Sequence, residues 1–312
     1  MRPTSLSGLF SLLFVSITIF SFAQEGHPLE GRWNLTVTED GKDEPSWLEV
    51  RHSGNNTLVG SFCYKFGSAR PVSEVKKLDG GKFSFSLPSQ WEPAGFDMQI
   101  IGAQEGEKLS GTLIYPDGKI YSWVGAPAPK LPYIENAKWG KEKKLFNGKN
   151  LEGWKAMGEN QWVVEEGILK SPKSGSNLVS EEKFKNFRVQ VEFRYPAGSN
   201  SGLYLRGRYE VQIADNIGLE PASVYFGGIY GHLSPNENVA KAAGEWQTFD
   251  ITLIGRRVTI IANGKTVIKE QNIAGMTGGA LDNDEAAAGP LLIQGDHGPV
   301  EFKSIVVTPL AE

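Results

Sequence analysis

Apolar and polar residues alternate along most of this chain, and runs at helical spacing are nearly absent, so the pattern predicts strands almost throughout. The first alternating stretches are 33–38, 47–52, 57–64, 82–87, 96–101, 108–115 and 120–124. Turn signals stand between them, among them Glu39-Asp40-Gly41, Asp79-Gly80-Gly81 and Pro116-Asp117-Gly118. Strands at this spacing predict a small meander barrel or sandwich over residues 28–125. The alternation then stops. Pro127, Pro129 and Pro132 crowd into 126–140, which reads as a linker.

A second strand series follows. Phe187, Val189, Val191, Phe193 and Tyr195 alternate with Arg188, Gln190, Glu192 and Arg194, which gives one apolar and one polar face. Leu203, Leu205, Tyr209, Val211 and Ile213 share one parity, while Tyr204, Arg206, Arg208, Glu210 and Gln212 share the other. Stretches 249–254 and 258–262 lead into Asn263-Gly264, the dipeptide suited to both positive-φ positions of a type I′ hairpin turn, and then into 265–269. Stretches 291–294 and 300–307 close the series around Gly295-Asp296-His297-Gly298-Pro299. Two packed antiparallel sheets over 141–312 accommodate this count, and the whole chain is expected to be all-β.

The N-terminus adds a compartment. Arg2 precedes an apolar run over 9–22 that ends in Ser21-Phe22-Ala23, the form of a signal peptide over 1–23, and this predicts export to the periplasm or the medium. No later stretch reaches the roughly 20 apolar residues of a membrane helix, so no membrane insertion is expected. Cys63 is the single cysteine, so no internal disulfide is available and the core must hold the fold. A formal net charge of −4 argues against nucleic acid as a partner and leaves a small polar ligand as the better expectation.

Several segments carry a more specific reading. LFNGKNLEGW (145–154), WVVEEGILK (162–170), FRVQVEFR (187–194), NSGLYLRG (200–207), YEVQIAD (209–215), GEWQTFDI (244–251) and IQGDHGPVEFKSI (293–305) follow one another along the C-terminal half. In that order they resemble the 3-keto-disaccharide hydrolase family, known also as the DUF1080 domain. The resemblance implies a concanavalin-like jelly roll acting on sugars already oxidised at C3 by a separate dehydrogenase. The N-terminal half carries only Gly31-Arg32-Trp33, too short a motif to assign a ligand.

A 3-keto sugar sets the chemistry. The ketone acidifies the C2 hydrogen; a base removes it, the glycosidic oxygen on C1 leaves, and water adds to the enone. Such a route needs a base, a group that stabilises the enolate and an acid for the leaving oxygen. Arg206 is the candidate for the enolate, Glu210 the candidate base or its orienter, and His297, with an ordinary pKa near 6.5, the candidate acid/base. Asn200, Ser201, Glu192, Gln212, Asp215 and Gln294 are candidate substrate-binding residues. Each has a plainer reading: Arg206 and Glu210 as a solvated ion pair, Asp296-His297-Gly298 and Asp215 as turn formers.

Other chemistries fit less well. A retaining glycosidase needs two carboxyls about 5–5.5 Å apart, whereas Glu210 and Asp215 are separated by five residues and a regular strand sends them to opposite faces. No cofactor is required by the residues. A divalent metal held by His232 and His297 with Glu210 or Asp296 stays open as an alternative. So does a noncatalytic lectin-like module, and so does a ligand site in the N-terminal barrel.

Overall fold

The computed structural model describes residues 27–92 and 95–311. The proposed signal peptide lies outside them.

The N-terminal strands are Gly31–Glu39, Lys42–Ser53, Thr57–Tyr64, Arg70–Val72, Lys76–Leu78, Lys82–Leu87, Met98–Glu105, Lys108–Ile114 and Ile120–Pro127. They form a single antiparallel sheet in which Gly31–Glu39 pairs with both Lys42–Ser53 and Ile120–Pro127, and every other neighbour is a sequential hairpin. The sheet rolls up until Arg70–Val72 approaches Lys82–Leu87. Its interior is filled by side chains: Trp33, Leu35, Phe62, Phe83, Phe85, Ile100 and Trp123 share one core, and the Phe62 and Phe85 rings meet edge to face at 5.6 Å. With its interior packed, a ligand of the barrel would have to sit on its outside. The strand expected at 96–101 runs instead from Met98 to Glu105, and the short strands Arg70–Val72 and Lys76–Leu78 have too few alternations to be seen in sequence.

From 128 to 142 only Trp139 pairs as a strand would, in a single bridge to Leu310. The stretch lies along the second unit, with Tyr133 beneath Arg257 at 4.4 Å and Trp139 beneath Arg188 at 5.6 Å.

The second unit is a two-sheet sandwich. One sheet runs Val163–Glu165, Ile168–Ser171, Val300–Pro309, Phe187–Arg194, Gln247–Ile254, Arg257–Ala262 and Lys265–Asn272, with Lys143–Lys144 alongside Val300–Pro309. The other runs Trp154–Ala156, Leu178–Phe184, Gly289–Ile293, Asn200–Leu205 and Tyr209–Ala214. The inward parities of both supply one continuous core: Val189, Val191 and Phe193 from the first, Leu203, Leu205, Val211, Ile213, Leu291 and Ile293 from the second. Asn263 and Gly264 stand at φ 48° and 80° between Arg257–Ala262 and Lys265–Asn272, as the hairpin reading requires. Alternation then dictates the rest: with Val211 and Ile213 inside, Glu210 and Gln212 emerge on the outer face of the five-stranded sheet.

The barrel covers part of that outer face. Trp47 Nε1 donates to the Met276 carbonyl at 2.8 Å, Gly279 N to the Lys65 carbonyl at 2.8 Å, and Asn283 Nδ2 to Leu35 O and Thr36 Oγ1, both at 2.8 Å. A buried ion pair joins Arg32 of the barrel to Glu285 of the sandwich.

Candidate active site

Between the barrel and the outer face of the five-stranded sheet lies a cleft of about 80 Å³ lined by Phe66, Asn200, Tyr204, Glu210, Gln212, Tyr230, Gly278, Gln294 and His297. The strand pairing builds its floor. Tyr204 stands opposite Glu210 and Gly202 opposite Gln212, so the outward side chains of two adjacent strands form one polar patch. Gly202 is needed as glycine, because a Cβ there would overlap the Glu210 carboxyl. Larger depressions exist, such as one of about 690 Å³ by Asn34, Ser110 and Asn283, but the titratable residues lining it, Glu105, Lys108 and Asp284, are all exposed.

Glu210 is 3% exposed, and burial pushes its carboxyl up to about 8. Its contacts agree with a protonated acid. The Tyr204 hydroxyl lies 2.9 Å from Glu210 Oε2 and 3.0 Å from the Gly278 carbonyl, yet it has a single hydrogen. Both contacts are satisfied when Glu210 donates to Tyr204 and Tyr204 donates to Gly278.

His297 differs in every respect. It is half exposed at the cleft edge, and its Nδ1 lies 2.6 Å from Asp296 Oδ1. That hydrogen bond raises the imidazole pKa above its ordinary value and leaves Nε2 free. Burial separates the two groups: an acid kept neutral beneath, and a base strengthened by a carboxylate at the rim.

The polar walls carry unfilled hydrogen-bonding capacity. Gln212 Nε2 donates to Asn200 Oδ1 at 2.7 Å, while Gln212 Oε1 is buried without a partner. Gln294 Oε1, on a residue 8% exposed, is also unpartnered. Two buried acceptors facing one cleft suit a ligand that donates hydroxyl hydrogens.

A model for a 3-keto-alpha-glucoside-1,2-lyase-like domain matches residues 139–308. This chain belongs to that family. The lyase-like domain is thus the sandwich, and it holds every lining residue of the cleft except Phe66, which comes from the barrel. A 3-keto-disaccharide hydrolase of Bacteroides thetaiotaomicron is 32% identical over 93 residues, covering 25% of this chain and 32% of that protein. This chain therefore spans about a third of the length of that curated relative. Among solved structures, a proposed glycosyl hydrolase from Parabacteroides distasonis is 25% identical with a TM-score of 0.47, covering 58% of this chain and 94% of the other. A second from the same organism is 21% identical with a TM-score of 0.46, over 55% and 94% of the two chains.

The lyase-like domain brings together Glu210, His297, Asn200, Gln212 and Gln294, but four other sequence candidates stand elsewhere. Arg206 occupies the turn after Asn200–Leu205 at φ 57°, is fully buried, and donates to the carbonyls of Glu285 at 3.1 Å and Gly255 at 2.8 Å and to the Tyr209 hydroxyl at 3.0 Å. It does not reach the cleft, which corrects its assignment to the enolate: shared parity fails where the strand ends and the chain turns. Ser201 points the other way from Asn200, is fully buried, and donates to the Gln294 carbonyl at 2.8 Å. Glu192 belongs to the other sheet, on the opposite outer face, where Lys303 Nζ donates to it at 2.8 Å. Asp215 lies past the strand end and accepts from Gly198 N at 2.8 Å, which is the turn-forming role.

The metal grouping is not assembled either. His232 is half-buried, with both ring nitrogens shut away from solvent and its ring 5.6 Å from that of Trp47 between centroids, and burial pushes its pKa down to about 4. Among the described residues no cluster of three or more His, Cys, Asp or Glu takes a metal-binding arrangement.

Tyr204, Tyr230 and Phe66 complete the cleft without having been singled out from sequence. Tyr204 has the parity of Glu210, and that signal was available. Phe66 belongs to another domain, and no local pattern connects it to the cleft.

Proposed function

We propose that this chain is an exported enzyme that cleaves 3-keto glycosides by removing the C2 proton, expelling the C1 oxygen and hydrating the resulting enone. The observation that carries this reading is the pairing of a buried, neutral Glu210 with an Asp296-supported His297 in one cleft. An acid and a base held apart in proton affinity are what the elimination consumes. His297 Nε2 takes the C2 proton, and the resulting imidazolium is stabilised by Asp296. Glu210 gives its proton to the departing glycosidic oxygen and recovers one from the water whose oxygen adds to C1 of the enone, while the His297 imidazolium returns its proton to C2, so both groups are regenerated and no net proton is consumed. No Arg or Lys lines the cleft, so neutral donors, the Tyr230 hydroxyl and the Gln294 amide, meet the enolate oxygen. The unpaired oxygens of Gln212 and Gln294 accept from sugar hydroxyls. The substrate's ketone implies a separate sugar 3-dehydrogenase acting upstream, and no bound cofactor takes part in the route.

The direct test is to incubate the protein with a 3-keto disaccharide and with its unoxidised parent. Turnover of the keto sugar alone is expected. Binding of both without turnover would instead support the lectin-like reading.

The pH profile follows from the same two groups. His297 must be neutral and Glu210 protonated, so kcat/KM should rise through a pKa above 6.5 and fall through about 8. A profile from pH 5 to 10 that stays level across pH 8 would remove Glu210 from the rate law. Replacing His297 by Ala should lower kcat by about 10² or more, in line with the usual worth of general acid–base catalysis, with an unchanged circular dichroism spectrum. Activity within threefold of the parent would exclude the imidazole as the base.

A further inference from the structure

The cleft encloses too little to hold a disaccharide: about 80 Å³, against the roughly 300 Å³ or more of sites that envelop a drug-sized ligand. If one ring reacts there, the rest of the substrate lies at the mouth. Two large rings of the barrel stand at that place. Phe66 lines the cleft and is 62% exposed; Trp91 is 41% exposed, and the two ring centroids are 5.9 Å apart at 61°. Single exposed apolar residues are ordinary, but this pair is held in position from both sides.

On the barrel side, Gln90 bonds Ser68 twice, accepting from its backbone N at 3.2 Å and donating to its hydroxyl at 3.1 Å. Glu92 Oε2 accepts from Gln90 N at 2.8 Å and Trp91 N at 3.2 Å, and its other oxygen faces buried Arg70 at 2.9 Å. A buried ion pair thus anchors the segment that presents Trp91. On the sandwich side, Gly279 N donates to the Lys65 carbonyl, and the Phe66 backbone presses so closely on Gly278 that a Cβ there would sit 2.5 Å from the Phe66 carbonyl carbon. Gly278 is also the residue whose carbonyl receives the Tyr204 hydroxyl. The Phe66 backbone is therefore seated directly on the wall of the acid's pocket, and the Phe66 and Trp91 rings, in contact with each other, are exposed to solvent beside it. Apolar ring faces of this size match the C–H faces of a pyranose, leaving its hydroxyls to water.

We propose that Phe66 and Trp91 form a stacking platform for the second ring of the glycoside, the leaving group, so that the barrel supplies substrate selectivity to a reaction carried out by the sandwich. This rests on the reading that the keto ring reacts at Glu210 and His297. The occupant is a second pyranose ring joined to the keto ring through the C1 oxygen.

The test compares the parent with the Phe66→Ala/Trp91→Ala double variant on a 3-keto disaccharide and on the corresponding methyl 3-keto glycoside, which lacks a second ring. The ratio of kcat/KM for the two-ring over the one-ring substrate should fall about tenfold or more, and Phe66→Tyr should preserve it. A ratio unchanged in the double variant, through no loss or through equal loss on both substrates, overturns the platform. If the parent turns over neither keto sugar, the proposed activity fails but the platform is still decided by binding. Titration with the unoxidised disaccharide should then give a saturable change in tryptophan emission that is absent from Trp91→Phe, and a titration with no Trp91-dependent change overturns it.

Discussion

Replacing Glu210 by Gln is expected to reduce kcat on a 3-keto disaccharide by about 10³ while making the folded protein more stable at neutral pH. Both effects come from the same burial. An amide can occupy the Tyr204 contact but has no proton to give to a leaving oxygen. The stability gain follows from linkage. In the unfolded chain the carboxyl ionises near 4.5, and in the folded chain near 8, so its contribution to stability is fully present below 4.5 and is lost as pH rises toward 8. At pH 7 the accumulated loss is up to about 3 kcal/mol, and the neutral amide avoids it. Glu210→Gln should therefore melt above the parent at pH 7 and level with it at pH 4. Its chemistry can also be separated from that of His297. In D₂O the variant should still exchange the C2 hydrogen of the keto sugar, and an aryl leaving group that needs no acid should restore much of the rate. Loss of the exchange would show instead that Glu210 is the base.

Arg206→Ala is expected to do the reverse, costing about 3–5 kcal/mol of stability with kcat of the folded fraction within threefold of the parent. The side chain sits in a buried chain of hydrogen bonds in which Arg206 donates to Tyr209, Tyr209 donates to Glu285 Oε1 at 2.6 Å, and Glu285 pairs with Arg32 across the domain junction. Removing it strands the Gly255 and Glu285 carbonyls, each at a desolvation cost of about 1–3 kcal/mol. Thermal melts and activity below the transition separate the two effects. A variant with an unchanged melt and a large fall in kcat would return Arg206 to the chemistry.

These two residues mark how far the sequence was legible. Alternation located most strands and sorted inward from outward side chains, which is why Glu210 and Gln212 were found together, while Asn200 and Gln294 were reached only through the segments that carry the family resemblance. Periodicity fails at strand ends. Arg206 shares the parity of Glu210, yet the hairpin turn redirects it, and nothing local shows that Gly255 and Glu285 will close around its guanidinium. Parity is equally blind to which sheet a strand joins, so the polar face holding Glu192 resembled that of Glu210 although the core separates them. Phe66 is the extreme case: its place in the cleft depends on how two domains dock, and that docking is written in scattered contacts such as Trp47 to Met276 and Asn283 to Leu35.

The placement of Phe66 has a mechanical corollary. Glu210 and His297 both belong to the sandwich, whereas one jamb of the doorway belongs to a module tethered through residues 128–142. A small swing of the barrel would widen or narrow the aperture without altering the spacing of acid and base, and the Arg32–Glu285 pair opposes such a swing together with the Trp47–Met276, Gly279–Lys65 and Asn283–Leu35 hydrogen bonds.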